Sequence, residues 1–331
     1  MRILTALADR AGCGLYRLLL PLGELKRRGH DVVWSGEYDV RTFDIVVAQR
    51  SSNVEAHSQW VELASHKDRS YRLIQEIDDP LWLVEKSNPM AYQYYGQDKE
   101  RLRRLRECIE AADMVTTTTE PLARMLRAMT NAPVVVIGNY VDKPIFRVER
   151  KPTDHYTLGF AGSYSHSGDW AAEGRGIGRY LARHPEVGMH FIGTDLSAHL
   201  PGSALSQVRV TPWLPDIHAY YAALEMDVRV IPLKDTPFNR GKSALAAVEA
   251  MSLGIVPVAS ASLAYNDVID NGKNGFLCST DKEWQHALDA LSDPDLRAKM
   301  AARGREKARA WTVQRNAYKW TDAYQAALAS L

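Results

Sequence analysis

Residues 232–254 read Pro232-Leu233-Lys234-Asp235-Thr236-Pro237-Phe238-Asn239-Arg240-Gly241-Lys242-Ser243-Ala244-Leu245-Ala246-Ala247-Val248-Glu249-Ala250-Met251-Ser252-Leu253-Gly254. The stretch leaves a β-branched run, Val228 to Leu233, crosses a polar loop and enters helical periodicity, which is the unit of a parallel α/β sheet. In such a sheet, ligands sit outside the carboxyl ends of the strands, and free N–H groups at a helix start favour anions. Arg240 and Lys242 at that place predict a bound phosphate. Lys242 and Glu249 are seven residues apart, about two turns and roughly 10 Å along a helix. A diphosphate at one end and ribose hydroxyls at the other fit that separation. The bland alternative is a solvated lysine and an exposed glutamate, but Glu249 interrupts the apolar run Leu245, Val248, Met251, Leu253.

The same rhythm extends in both directions. Upstream, strands are predicted at Arg2 to Leu7, Asp31 to Trp34, Asp44 to Ala48, Arg72 to Ile77, Met114 to Thr118 and Val134 to Ile137. Between them, Leu15 to Arg28, Lys99 to Ala111 and Glu120 to Met129 have apolar residues three and four apart, as helices covering a sheet require. Asp142 to Asp154 is polar, with Pro144 and Pro152, and reads as a linker. The rhythm restarts at Tyr156 to Ala161, Met189 to Ile192, Val208 to Leu214, Val228 to Leu233, Ile255 to Ala259 and Phe276 to Cys278. Only helical pattern follows, closing with Val313 to Leu331, where Tyr318, Trp320, Tyr324 and Leu328 are spaced for one face. The expected architecture is therefore two doubly wound Rossmann-like α/β domains, residues 1–150 and 151–310, and a terminal helix at 311–331 that crosses back to the first.

Composition narrows the function classes. Lysine plus arginine (41) nearly balances aspartate plus glutamate (40), so no global positive field exists to hold a nucleic-acid backbone. The run Arg101, Arg103, Arg104, Arg106 reads as a solvated helix face. Three scattered cysteines, Cys13, Cys108 and Cys278, indicate neither a disulfide framework nor a zinc site. No run approaches 18 apolar residues, so a cytoplasmic protein is expected, able at most to touch a membrane.

Two nucleotide motifs fail in detail. Gly241-Lys242-Ser243 supplies the end of a P-loop, but Thr236 stands where its first glycine belongs. Gly12-Cys13-Gly14 forms a glycine-rich strand-to-helix turn, yet Arg17 replaces the third glycine of a dinucleotide fingerprint. At the end of another strand, Glu76-Ile77-Asp78-Asp79 clusters carboxylates, and either aspartate can orient an acceptor hydroxyl or act as a base. The pair also resembles the DxD of metal-dependent transferases of a different fold, and it can equally cap a turn.

Together these residues resemble the family 4 (group 1) glycosyltransferases of the GT-B type over nearly the whole chain. The similarity is carried by Gly12 to Leu22, Arg28-Gly29-His30-Asp31-Val32, Ala112 to Leu122, Gly159 to His166, Asn239 to Ser243, Glu249 to Ser260 and Asn271 to Leu277. The resemblance implies a nucleoside-diphosphate sugar, UDP-, GDP- or TDP-linked, as co-substrate in the second domain, with no tightly bound cofactor and no metal. It places Gly162 and Ser163 beside the phosphates, Arg240 and Lys242 neutralising them, Glu249 on the ribose, and Trp213 and Leu214 near the base. Asn239 and Ser243 belong to the same donor loop, and Gly12 and Gly14 face it. His166 matches a GSxxH pattern, as a loop-ordering or catalytic group. The family's first glutamate, eight residues before Glu249, is here Gly241, which puts its contact to the donor sugar in doubt. A retaining, metal-independent transfer to an acceptor hydroxyl is implied; a nucleotide-sugar binding module, or a phosphorylase or epimerase of the same fold, stays open. Glycan, lipid, protein and modified nucleic acid remain open as acceptors.

Overall fold

The computed structural model describes residues 1–34 and 39–330. Among the described residues, twelve strands form two six-stranded sheets whose pairings are all parallel. The first has the order β2-β1-β3-β4-β5-β6, with β1 Arg2–Ala6, β2 Asp31–Val33, β3 Ile45–Gln49, β4 Arg72–Ile77, β5 Met114–Thr117 and β6 Val134–Val136. The second has the order β12-β11-β10-β7-β8-β9, with β7 Thr157–Ala161, β8 Gly188–Gly193, β9 Val208–Pro212, β10 Val228–Ile231, β11 Val256–Ser260 and β12 Phe276–Cys278. The strands lie where the β-branched runs predicted them, with ends shifted by one or two residues; β9 and β10 stop two short, at Pro212 and Ile231.

Helices cover both faces of each sheet and bury four apolar clusters. In the first half, Ile3, Ile45 and Ile74 from the strands pack with Leu18, Leu22 and Leu25 from the first helical segment. The chain's last helix, Tyr318–Ala329, completes that cluster with Trp320, Ala323, Tyr324 and Ala327. Burying the two rings contributes about 1.5–3 kcal/mol each. Tyr318, assigned to the buried face from its spacing, is 51% exposed. The buried face runs in steps of three and four from Trp320, and Tyr318, two residues before it, points roughly 200° away. Leu331, the last residue of the predicted helix, lies outside the described residues.

The chain passes between the halves at two adjacent places. Val141 N donates to Trp311 O at 3.0 Å, and Val313 N donates to Val141 O at 2.9 Å. The predicted linker is not loose: Ile145 is buried, and Arg150 donates to the carbonyls of Leu253, Leu224 and Met226.

Candidate functional site

Strand order reverses between β1 and β3 in the first sheet and between β7 and β10 in the second. Diverging crossovers at such switch points leave a crevice beyond the strand ends. The carboxyl ends of the two sheets meet there around a cavity of about 320 Å3. Its wall takes Gly12, Cys13, Asp78 and Asp79 from the first half and Gly162, Ser163, His166, Trp213, Leu214, Lys242, Ser243 and Glu249 from the second.

In the first half, Gly12 turns the chain with φ +54°, a conformation that disfavours a side chain. Gly14 is off the wall: a Cβ there would lie 1.8 Å from the Asp9 carbonyl oxygen, so its part is to let the turn close. Beyond β3, Arg50 has φ +51°, in the left-handed region that non-glycine residues rarely occupy. Its guanidinium grips Asp78 and reaches Cys13 Sγ at 2.9 Å. Burial pushes Asp78 up, but Arg50 outweighs it and the carboxyl stays below the ordinary aspartate value. Asp79 goes the other way: burial raises it, Asp78 adds to the rise, and Lys242, its Nζ 3.7 Å away, offsets only part. Cys13, Asp78 and Asp79 offer ligand atoms within 4.8 Å of one another, but the Arg50 guanidinium bonded to two of the three already supplies positive charge there.

In the second half, Asp169 organises the phosphate-side loops. Its carboxylate accepts from His166 Nδ1 at 2.8 Å, Lys234 N at 3.0 Å and Asn239 Nδ2 at 2.8 Å. His166 lines the cavity with its Nδ1 held by that bond. Asn239 is buried and its Nδ2 binds the loop to itself, with a second bond to Lys234 O at 2.9 Å. Gly162 has Phe160 and His166 packed where a Cβ would sit, and Ser163 Oγ pairs with Ser165 Oγ at 2.6 Å.

Two placements differ from the sequence reading. The helix starts at Leu245, and Lys242 precedes it on extended backbone, with φ −69° and ψ 154°. Contacts across the cleft hold it there: Thr119 Oγ1 donates to Gly241 O at 2.8 Å, and Asn139 Nδ2 to Ser243 Oγ at 2.7 Å. Lys242 still reaches the cavity. Arg240 does not line it; the side chain is 55% exposed and its fork closes on Asp235 at 2.7 and 2.8 Å. The acid five residues upstream captured the cation expected to neutralise a phosphate.

Glu249 lies on the cavity wall but is only 5% exposed. Arg229 Nη1 donates to its Oε2 at 2.7 Å and Tyr220 OH to the same oxygen at 3.2 Å. Tyr16, from the first half, donates to Oε1 across the cleft. Arg229 also bonds Ala161 O at 3.1 Å, fixing the helix Leu245–Ser252 against β7. Sequence reasoning passed over Arg229, Tyr16, Tyr220 and Arg50. The legible signal for Arg229 was one charge inside the apolar run Val228-Arg229-Val230-Ile231; for the phenols there was none. Trp213, placed near the base by the resemblance, is 52% exposed beside the cavity.

The basic run on the helix Lys99–Glu110 is neutralised on its own surface, Arg103 by Glu100 and Glu107 and Arg106 by Glu110. Among the described residues, no helix is long and apolar enough to cross a membrane.

Comparison with known proteins agrees with this geometry. Residues 200–307 match the family model described as glycosyl transferases group 1, a span that holds Trp213, Lys242 and Glu249. No curated protein matches the chain in sequence. Among solved structures, a sucrose-phosphate synthase from Thermosynechococcus elongatus is 15% identical, with a TM-score of 0.70 over 99% of both chains. HepE from Anabaena, solved in complex with UDP, is 15% identical, with a TM-score of 0.69 over 100% of both chains. A glycosyltransferase from Rickettsia africae is 12% identical, with a TM-score of 0.63 over 99% of this chain and 98% of its own. At these identities the likeness is one of fold: the two facing sheets have the GT-B arrangement.

Proposed function

We propose that this protein is a glycosyltransferase that moves a sugar from a nucleoside-diphosphate sugar to an acceptor hydroxyl. The observation that carries the reading is the pairing of Lys242 and Glu249 on one cavity at the switch points of both sheets. The matching family model covers that part of the chain, and HepE, of the same fold, was solved with UDP and with UDP-glucose. UDP-sugars are therefore the first donors to test.

In this reading the diphosphate lies against Gly162 and Ser163 with Lys242 as its cation, Glu249 faces the ribose, and Trp213 and Leu214 border the base. Departure of the nucleoside diphosphate leaves an oxocarbenium-like centre, and a fixed cation at the leaving oxygens stabilises the charge that develops. Asp79, 3.7 Å from Lys242 Nζ, lines the cavity from the first half and His166 lines it from the second, and a carboxylate or an imidazole can orient the incoming hydroxyl. Arg50, bonded to Asp78 and Cys13, supplies charge where a metal would otherwise sit, which supports metal independence. Retention of configuration follows from the family resemblance, with attack on the face the leaving phosphate vacates.

The test is calorimetry and turnover with UDP-, GDP-, TDP- and ADP-sugars, alongside Lys242→Ala and Glu249→Ala. One donor is expected to bind, to release its nucleoside diphosphate slowly, and to lose affinity in both variants. Failure of every donor to bind would sink the proposal, and binding with no turnover on any acceptor or water would make the cavity a sensor. Phosphate-dependent cleavage would make it a phosphorylase.

A further inference from the structure

We propose that Tyr16 is a positioning residue that competes with a nucleotide ribose for Oε1 of Glu249 and is displaced when a nucleotide enters. The inference rests on reading the cavity as a nucleoside-diphosphate site and concerns what the first half contributes to it.

A carboxylate offers about four lone-pair positions. On Glu249, Oε2 is filled by Arg229 Nη1 at 2.7 Å and Tyr220 OH at 3.2 Å, both from the second half. Acceptor capacity towards the cleft is therefore left to Oε1, and Tyr16 already donates to it. The Tyr16 oxygen lies 2.8 Å from Tyr221 OH. Because the Tyr16 proton points at the carboxylate, Tyr221 donates in turn, giving a relay from Tyr221 through Tyr16 to Glu249. Burial and the neighbouring Glu249 hold the Tyr16 phenol well above its ordinary pKa, so it stays a donor throughout the neutral range.

Tyr16 belongs to the first half: it follows the Gly12–Gly14 turn in the segment Leu15–Leu19, and its ring is 4% exposed. Its hydroxyl ties the two halves at the one carboxylate whose remaining capacity a ribose diol needs. An incoming diol, itself a double donor, replaces the phenol on Oε1 and breaks that tie. Nucleotide binding then carries the cost of the lost bond, and the position of the first half depends on whether a ribose is present.

Tyr16→Phe removes the competing donor and keeps the ring. The expected result is UDP binding tighter than in wild type by roughly three- to tenfold, the scale of one hydrogen bond to a charged acceptor. The gain should vanish with 2′,3′-dideoxy-UDP, a dependence that a merely structural role for Tyr16 would not show. Equal or weaker UDP binding by a folded Tyr16→Phe protein overturns the proposal, as does an equal gain with the dideoxy nucleotide. If UDP binds neither wild type nor variant, the nucleotide-site reading fails first. Should Tyr16→Phe not fold, hydrogen exchange on wild type gives the answer: UDP should speed exchange around residues 15–19 and dideoxy-UDP should not. The same response to both overturns the proposal.

Discussion

Each half of the cleft contains a buried arginine–carboxylate pair, and the two pairs are built for different work. Arg50–Asp78 stands just past the carboxyl ends of the central strands β3 and β4 with a second carboxylate beside it, and Arg50 retains 14% side-chain exposure. Arg229–Glu249 is closed in, its side chains 4% and 6% exposed and surrounded by tyrosine hydroxyls. Charge at the first pair is shared unevenly, leaving Asp78 held low and Asp79 raised; carboxylates pushed apart in this way suit proton handling. Charge at the second pair is matched donor for acceptor, which suits binding and positioning.

The largest expected effect is on stability at the closed pair. Glu249→Ala leaves the buried Arg229 charge with only the neutral oxygens of Tyr220 and Ala161 and should cost about 3–5 kcal/mol in urea unfolding, the usual penalty for breaking a buried ion pair. Asp78→Ala should cost clearly less, because Arg50 retains Asp79 within 3.6 Å. Equal losses would erase the distinction between the pairs.

Next comes Lys242→Ala, which acts between the two pairs. It should lower kcat for the productive donor about 10²- to 10³-fold, as expected for losing one preorganised charge at a leaving group, with little change in unfolding midpoint. A pure KM effect would move Lys242 from the reacting phosphate to ground-state binding.

The pH dependence separates the two aspartates of the open pair. Asp79 is raised in the folded protein, so stability falls as pH rises between its ordinary and its raised value. Asp78 is lowered, so its contribution is present above its ordinary value and is lost as pH falls through the lowered one. Asp79→Asn should remove an acid limb of turnover lying above the ordinary aspartate value; a pH–rate profile left unchanged would take Asp79 out of proton handling. The smallest effect is expected of Arg240→Ala, whose cation is spent on Asp235 in solvent: UDP affinity should change by no more than about twofold.

How much of this was legible in the sequence follows from what is local. Strand positions were, because a strand buried on both faces needs a continuous β-branched run, and Ile45-Val46-Val47-Ala48 has no other reading. The loop after β10 was, because β10 leads into it, Lys242 lies just before its helix and Glu249 lies within that helix. The details that failed all depend on distant partners. Asn139 and Thr119, more than 100 residues upstream, draw Ser243 and Gly241 across the cleft, and the helix starts at Leu245 rather than at Lys242. Tyr16 reaches Glu249 from 233 positions away. No periodicity or composition within a window can show that a phenol and a carboxylate so separated form a hydrogen bond.

The last helix has a further consequence, in the order in which the protein can be made. Residues 157–308 supply the strands and helices of the second half's two cores, whereas the first half lacks Trp320 and Tyr324 until the final residues are synthesised. On the ribosome, the half translated first therefore waits with one face of its sheet only partly covered while its successor can close. Residues 1–310 expressed alone would hold that unfinished face open permanently, as a ready target for chaperones and proteases.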